Sequence, residues 1–187
     1  PAADAIVDPK QKDCTYPYKG ICGAVVAYKL MQIYLQKMVQ NPAGKVTAGK
    51  VEDILRELLA FAAFATVGDV MELTDENRIL VRYGLRQIEK SQNPGLRALT
   101  VVNGLQDKKL SVYHIGFVLG PCLNATGRLD TAGRALAMFR TRDQAEAVAI
   151  AGELKELNDS RKGMTLLGTE QAEKMIESTN LKDDKVL

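Results

Sequence analysis

The chain reads as mainly helical, with at most one or two short strands, and three observations lead there. Apolar residues recur every three or four positions through 75–90 and again through 144–178, while 51–64 is apolar on nearly every side, as in a helix buried all round. Candidate helix starts at Thr74, Asn93 and Thr141 stand immediately before helical patterns. Proline, glycine and small polar residues cluster between these patterns, over 8–20, 41–50 and 120–130.

Taken in order, Ala5 to Val7 suits one short strand, and the following DPKQKDCTYPYKG, with Pro9 and Pro17, reads as ordered loop. A helix is predicted over 21–38 (ICGAVVAYKLMQIYLQKM), with its apolar first half buried. Gly20 and Gly23 at its start permit either close helix packing or the approach of an anion to free amides. After the exposed loop NPAGKVTAGK comes the buried helix 51–64, with Gly68 as the residue for a left-handed stop.

Asp69 follows directly. An anion at the negative end of a helix is disfavoured, and burying it is costly unless a cation or several donors meet it. Asp69 is therefore either a metal ligand in a dry pocket, or an Asp paired with an Arg or capping the next helix. That next helix begins with Thr74 as cap, carries Asp75 and Glu76 in its first turn, and buries Val81, Leu85 and Ile88. Asn93 and Pro94 open a short helix that ends near Gly104. Ser111 starts another, stopped by Gly120 and Pro121, with His114 exposed in its first turn.

The segment 120–130, GPCLNATGRLD, reads as a loop. Its Asn124, Thr126 and Arg128 can offer an amide, a hydroxyl and a guanidinium to one anion, or simply satisfy a turn. Thr141 and Gln144 form a capping box for a long helix reaching about Ser178. At 1.5 Å per residue it would be roughly 55 Å long. That exceeds what one small domain covers and marks an inter-domain connector, with Gly152, Gly163 and Gly168 as points of bending.

Composition narrows the chemistry. In 187 residues, Lys plus Arg exceed Asp plus Glu by two, and aromatics make up 5% with no Trp, so no strongly basic face interleaved with rings stands out. Cys14, Cys22 and Cys122 lack CxxC spacing and suit reduced thiols in a cytoplasmic protein. With His114 the single histidine, metal or acid-base chemistry in this chain rests on carboxylates. No apolar run reaches membrane-spanning length, so no membrane partner is expected.

Five stretches in order carry a family likeness: AIVDPKQKDCTYPYKGICGAVVAYKL, FATVGDVMELTDENRILVRYGL, NPGLRAL, IGFVLGPCLNATGRL and the helix containing ELKELNDSRK. Together they resemble the RecJ single-strand-specific exonucleases of the DHH phosphoesterase superfamily. The GDV and ENR pair is shared loosely across that superfamily, and the LNATGRL segment marks the RecJ branch.

The resemblance implies an enzyme of DNA repair and recombination that hydrolyses single-stranded DNA from 5′ to 3′ with two divalent cations, Mn²⁺ or Mg²⁺, and has a single-strand-binding protein and a helicase as partners. It matches Asp69 to a metal-binding, catalytic Asp, and Asn124 and Arg128 to a motif beside the nucleic-acid path. It further implies that 1–140 is the C-terminal part of an α/β DHH domain whose parallel sheet lies upstream, that 141–178 is the connector helix, and that 179–187 begins a DHH-associated domain. The family's remaining metal ligands, including its Asp-His-His motif, are absent, so the chain is expected to be a fragment, inactive alone, with apolar helix faces exposed. The alternatives are an oligonucleotide or cyclic-dinucleotide phosphodiesterase of the same superfamily, and a non-catalytic helical binding module.

Overall fold

In a computed structural model, residues 3–41, 46–129 and 132–179 are described, with side chains of 120–129 described up to 125. The elements are α1 (Gly23–Gln40), α2 (Ala48–Gly68), α3 (Asp75–Lys90), α4 (Pro94–Val102), a π-helical stretch (His114–Leu119), α5 (Gly120–Leu129), α6 (Gly133–Arg140) and α7 (Gln144–Glu177). The mainly helical class holds, and among the described residues there is no strand. The short strand expected at Ala5 to Val7 is not formed: Ile6 and Val7 stand exposed, with no neighbouring strand to take their backbone bonds.

α2 is the centre of one half, packed between α1 and α3. Small residues make this possible. Ala60, Ala62 and Ala63 are buried, and a Cβ added to Gly84 of α3 would meet Ala63 and come within 2.9 Å of the Leu59 carbonyl oxygen. The other half gathers α4, α5 and α6 around the first part of α7. Asn93 joins these elements: its Oδ1 accepts from Leu96 N at 3.1 Å to cap α4, and its Nδ2 donates to Phe139 O at 2.9 Å in α6. Phe139 in turn meets Phe61 of α2 edge to face, centroids 5.3 Å apart. One apolar core runs through both halves, from Phe64 and Val81 to Leu99, Ile115, Met138 and Leu154. A smaller one joins Ile21, Cys22, Val25 and Ala62.

Three local expectations are corrected. Gly120 and Pro121 do not stop a helix, and 120–129 is not a loop: the π-helical stretch passes directly into α5. The cap of α7 is Asp143, whose carboxylate accepts from Ala145 N and Glu146 N, whereas Thr141 Oγ1 donates to the Glu146 carboxylate. Gly23 has nothing near the position of an added Cβ, and the nearest atoms to one at Gly20 belong to the Tyr18 side chain rather than to a packed helix, so close helix packing explains neither.

α7 runs unbroken for 34 residues, roughly 51 Å at 1.5 Å per residue. Its buried residues are Ala147, Ala151, Leu154 and Asn158, all in the first half. Beyond them Met164, Leu166, Leu167 and Met175 are exposed.

Candidate functional site

The site grows from the way α2 ends. Asp69 is the C-cap, and the left-handed residue is Val70, at φ 55°, rather than Gly68. Met71 N donates to Thr66 O at 3.1 Å and Val70 N to Val67 O at 3.1 Å, the paired bonds of a Schellman stop. A β-branched residue at positive φ is a genuine outlier, and Asp75, at φ 40°, is a second non-glycine residue with positive φ where α3 begins. The turn between α2 and α3 is thus strained at both ends, a condition that persists only where surrounding contacts over-determine the backbone.

Those contacts come from residues 16–29 and the first turn of α3. Buried Asn77 places its Nδ2 2.7 Å from Gly20 O, 2.9 Å from Glu72 O and 3.2 Å from Tyr18 OH, which ties the turn to the segment leading into α1. Its Oδ1, also buried, has no partner among the described residues. Glu76 accepts from Tyr16 OH at 2.5 Å and from Lys29 Nζ. Burial alone would raise the Glu76 pKa, but the bonds from Lys29 and Tyr16 outweigh it and hold the carboxyl below its ordinary range. Burial likewise opposes the charge on Lys29, and the bonds to Glu76 and Tyr16 still leave its pKa raised. Thr74 stands at the cap position of α3 without capping it, its Oγ1 instead 3.2 Å from Tyr18 OH.

Asp69 is exposed, which corrects the expectation of a dry pocket. It neither caps α3 nor pairs with an Arg among the described residues. It lies on the wall of an open cavity of about 430 Å³, together with Asp8, Lys10, Cys22, Val26 and Met71. The position is physically cheap for this reason: solvent pays the charge at the negative helix end that burial would have left unpaid.

Asn124 is also exposed, but on helical α5 and not among the residues lining that cavity. The backbone of Thr126 and Arg128 lies in α5, and their side chains fall outside the described residues. What connects α5 to Asp69 is the preceding π-helical stretch, which packs on α2: a Cβ at Gly116 would lie 3.9 Å from Val67 Cγ1, two residues before Asp69. His114, expected to be exposed, is half-buried, its Nδ1 3.0 Å from both Ser111 N and Ser111 Oγ.

Oxygen ligands suit hard divalent cations, and the uncommitted Asp69 carboxylate fits one ligand position. Among the described residues no group of three or more His, Cys, Asp or Glu stands together, so these residues do not by themselves fit a two-ion centre. Sequence reasoning missed Asn77, Tyr16 and Lys29, and took Glu76 only as a favourable charge in the first turn of α3. The available signal was an Asn within the first turn of α3, where Asp75 and Glu76 already suit the helix end.

The described residues therefore define a helical body that presents the open Asp69 carboxylate from a clamped, strained turn. Comparison with known proteins narrows this class. No family model matches the chain. It is 35% identical over 181 residues to the single-stranded-DNA-specific exonuclease RecJ of Bacillus subtilis, covering 97% of this chain and 21% of that protein. To RecJ of Escherichia coli it is 37% identical over 163 residues, 87% of this chain and 28% of that one.

Among solved structures, RecJ of Thermus thermophilus in complex with Mg²⁺ superposes with a TM-score of 0.67 at 31% identity, over 84% of this chain and 23% of that one. An exonuclease RecJ bound to manganese superposes with a TM-score of 0.69 at 31% identity, over 84% of this chain and 37% of that one. The resemblance to the RecJ exonucleases is borne out in both sequence and fold. The chain spans 21% and 28% of the length of these two curated relatives. Among the described residues no helix is long and apolar enough to cross a membrane.

Proposed function

We infer that this chain is the helical part of a RecJ-type, metal-dependent 5′ to 3′ exonuclease acting on single-stranded DNA in repair and recombination. In this reading residues 1–140 complete a catalytic DHH domain, 141–178 connect it to a DHH-associated domain, and 179–187 begin the latter. Asp69 supplies one oxygen ligand to a pair of Mn²⁺ or Mg²⁺ ions, while Asn124 and Arg128 contact DNA phosphate. A cytoplasmic location and association with a single-strand-binding protein and a helicase follow from the same reading. The observation that carries it is the open Asp69 carboxylate on its clamped turn, in a chain similar to RecJ over 97% of its length.

Asp69 and the Asp8 that shares its cavity are too few ligands to organise two ions, so this polypeptide alone should release no nucleotides from 5′-phosphorylated single strands in Mn²⁺. It should nevertheless bind such strands in a salt-dependent way through phosphate contacts. Arg128→Gln should reduce the dependence of log affinity on log salt by about one contact. Robust metal-dependent hydrolysis by this chain would overturn the account of Asp69, and salt-independent binding would overturn that of Arg128.

A further inference from the structure

Two of the chain's ten Phe and Tyr residues stand together in the open. Tyr113 and Phe117 are 62% and 69% exposed, and their rings stack with centroids 5.2 Å apart and planes 26° from parallel. The position of the pair is fixed from below. Tyr113 meets the His114 ring edge to face at 5.9 Å, and His114 is held by Ser111, while Ile115 and Leu119 between and beyond them are fully buried. The backbone here is π-helical, a widened geometry concentrated at functional positions.

The surroundings point to a ligand. The same stretch packs on Val67, two residues before Asp69, and continues without a break into α5, where Asn124 lies seven residues after Phe117 and is exposed like it. Lys108 and Lys109, both exposed, precede the pair by a few residues. Stacked, exposed rings backed by buried apolar residues form the kind of platform on which unpaired bases lie, since every base has a π-face to offer.

We propose that Tyr113 and Phe117 form a base-stacking platform for single-stranded nucleic acid, accepting bases of any sequence. This rests on the nucleic-acid reading above and adds to it the contact with bases rather than phosphates. A strand drawn along the chain by its charge is held here by its rings.

The test compares binding of the 187-residue chain to a short oligothymidylate and to an abasic strand of equal length and charge, at one low salt concentration. The unsubstituted chain should favour the strand with bases by roughly tenfold or more, the scale of one stacked base. Tyr113→Leu combined with Phe117→Leu should abolish that preference and leave affinity for the abasic strand unchanged. Tyr113→Phe should keep it.

Equal affinity of the unsubstituted chain for the two strands, or binding to neither, overturns the proposal without any variant having to fold. So does a preference that survives the double substitution. A loss of self-association in the double variant, with strand preference intact, would show that the rings face protein instead. Salt-dependent affinity for the abasic strand would leave the phosphate reading standing even where stacking fails.

Discussion

Val70 holds a left-handed backbone that costs a β-branched residue on the order of 1–2 kcal/mol, next to the carboxylate on which the proposed chemistry depends. Glycine adopts that conformation freely but loses more entropy on folding. Val70→Gly should therefore stabilise the chain by a net of about 0.5–1 kcal/mol, read as a higher midpoint in urea. A second residue-level outcome concerns Glu76. Its carboxyl has a lower pKa folded than its usual 4.5, so its contribution is complete above 4.5 and is lost as pH falls through the folded value. The stability difference between the chain and Glu76→Gln should be largest near neutral pH and shrink steadily in acid. An unchanged difference at low pH would mean that the Lys29 and Tyr16 bonds do not hold the turn. At this scale Asp69 was legible as a residue of interest but not as an exposed one. The apolar run before it gave the helix, whereas the turn that swings Asp69 outward depends on Asn77 reaching Gly20, a contact across 57 positions of sequence.

Elements were legible where local chemistry decided them. Asn93 and Pro94 cap and open α4 as their side chains dictate, and the stripe of Val81 and Ile88 is buried in α3. Gly120 and Pro121 misled because a proline normally ends a helix by removing a donor. Here the π-helical turns shift the bonding just before that position, with Gly120 N–H donating to Ile115 O, five residues back. The helix therefore reaches Pro121 in a new register and continues through it. A glycine that does matter for packing is Gly84, which carried no sequence signal because its partner, the α2 backbone at Leu59, is 25 residues away. Gly84→Ala should destabilise by about 1–3 kcal/mol through overpacking, despite the better helix propensity of alanine. An increase in thermal midpoint would show that α2 and α3 can separate without loss. In α7, Leu154→Ala should cost about 2–5 kcal/mol, because Leu154 is fully buried. Met164→Ala should change unfolding by less than about 0.5 kcal/mol, because Met164 is exposed.

For the whole molecule, the decisive feature is the surface left without cover. Ile6 and Val7 at one end, and Leu30 and Ile33 on α1, line an open groove of about 560 Å³. Leu30 and Ile33 are 53% and 55% exposed. Such a face fits the reading proposed above, in which these helices belong to a layered α/β domain, because the apolar side of a helix must bury itself against another layer. It agrees with a chain that spans a fifth of its Bacillus subtilis relative. Contiguous apolar surface of this kind drives association in water. The isolated chain should therefore sediment as a concentration-dependent mixture above monomer mass. Leu30→Lys combined with Ile33→Glu should restore the monomer without lowering helix content, since neither side chain belongs to the two buried cores. If the unsubstituted chain is monomeric at high concentration, water covers this face at no measurable cost. The groove would then have to be stabilised from within, by the Lys29 and Tyr16 side chains that border it and bond to Glu76. In that case Glu76→Gln, rather than the α1 substitutions, would be the change that releases association.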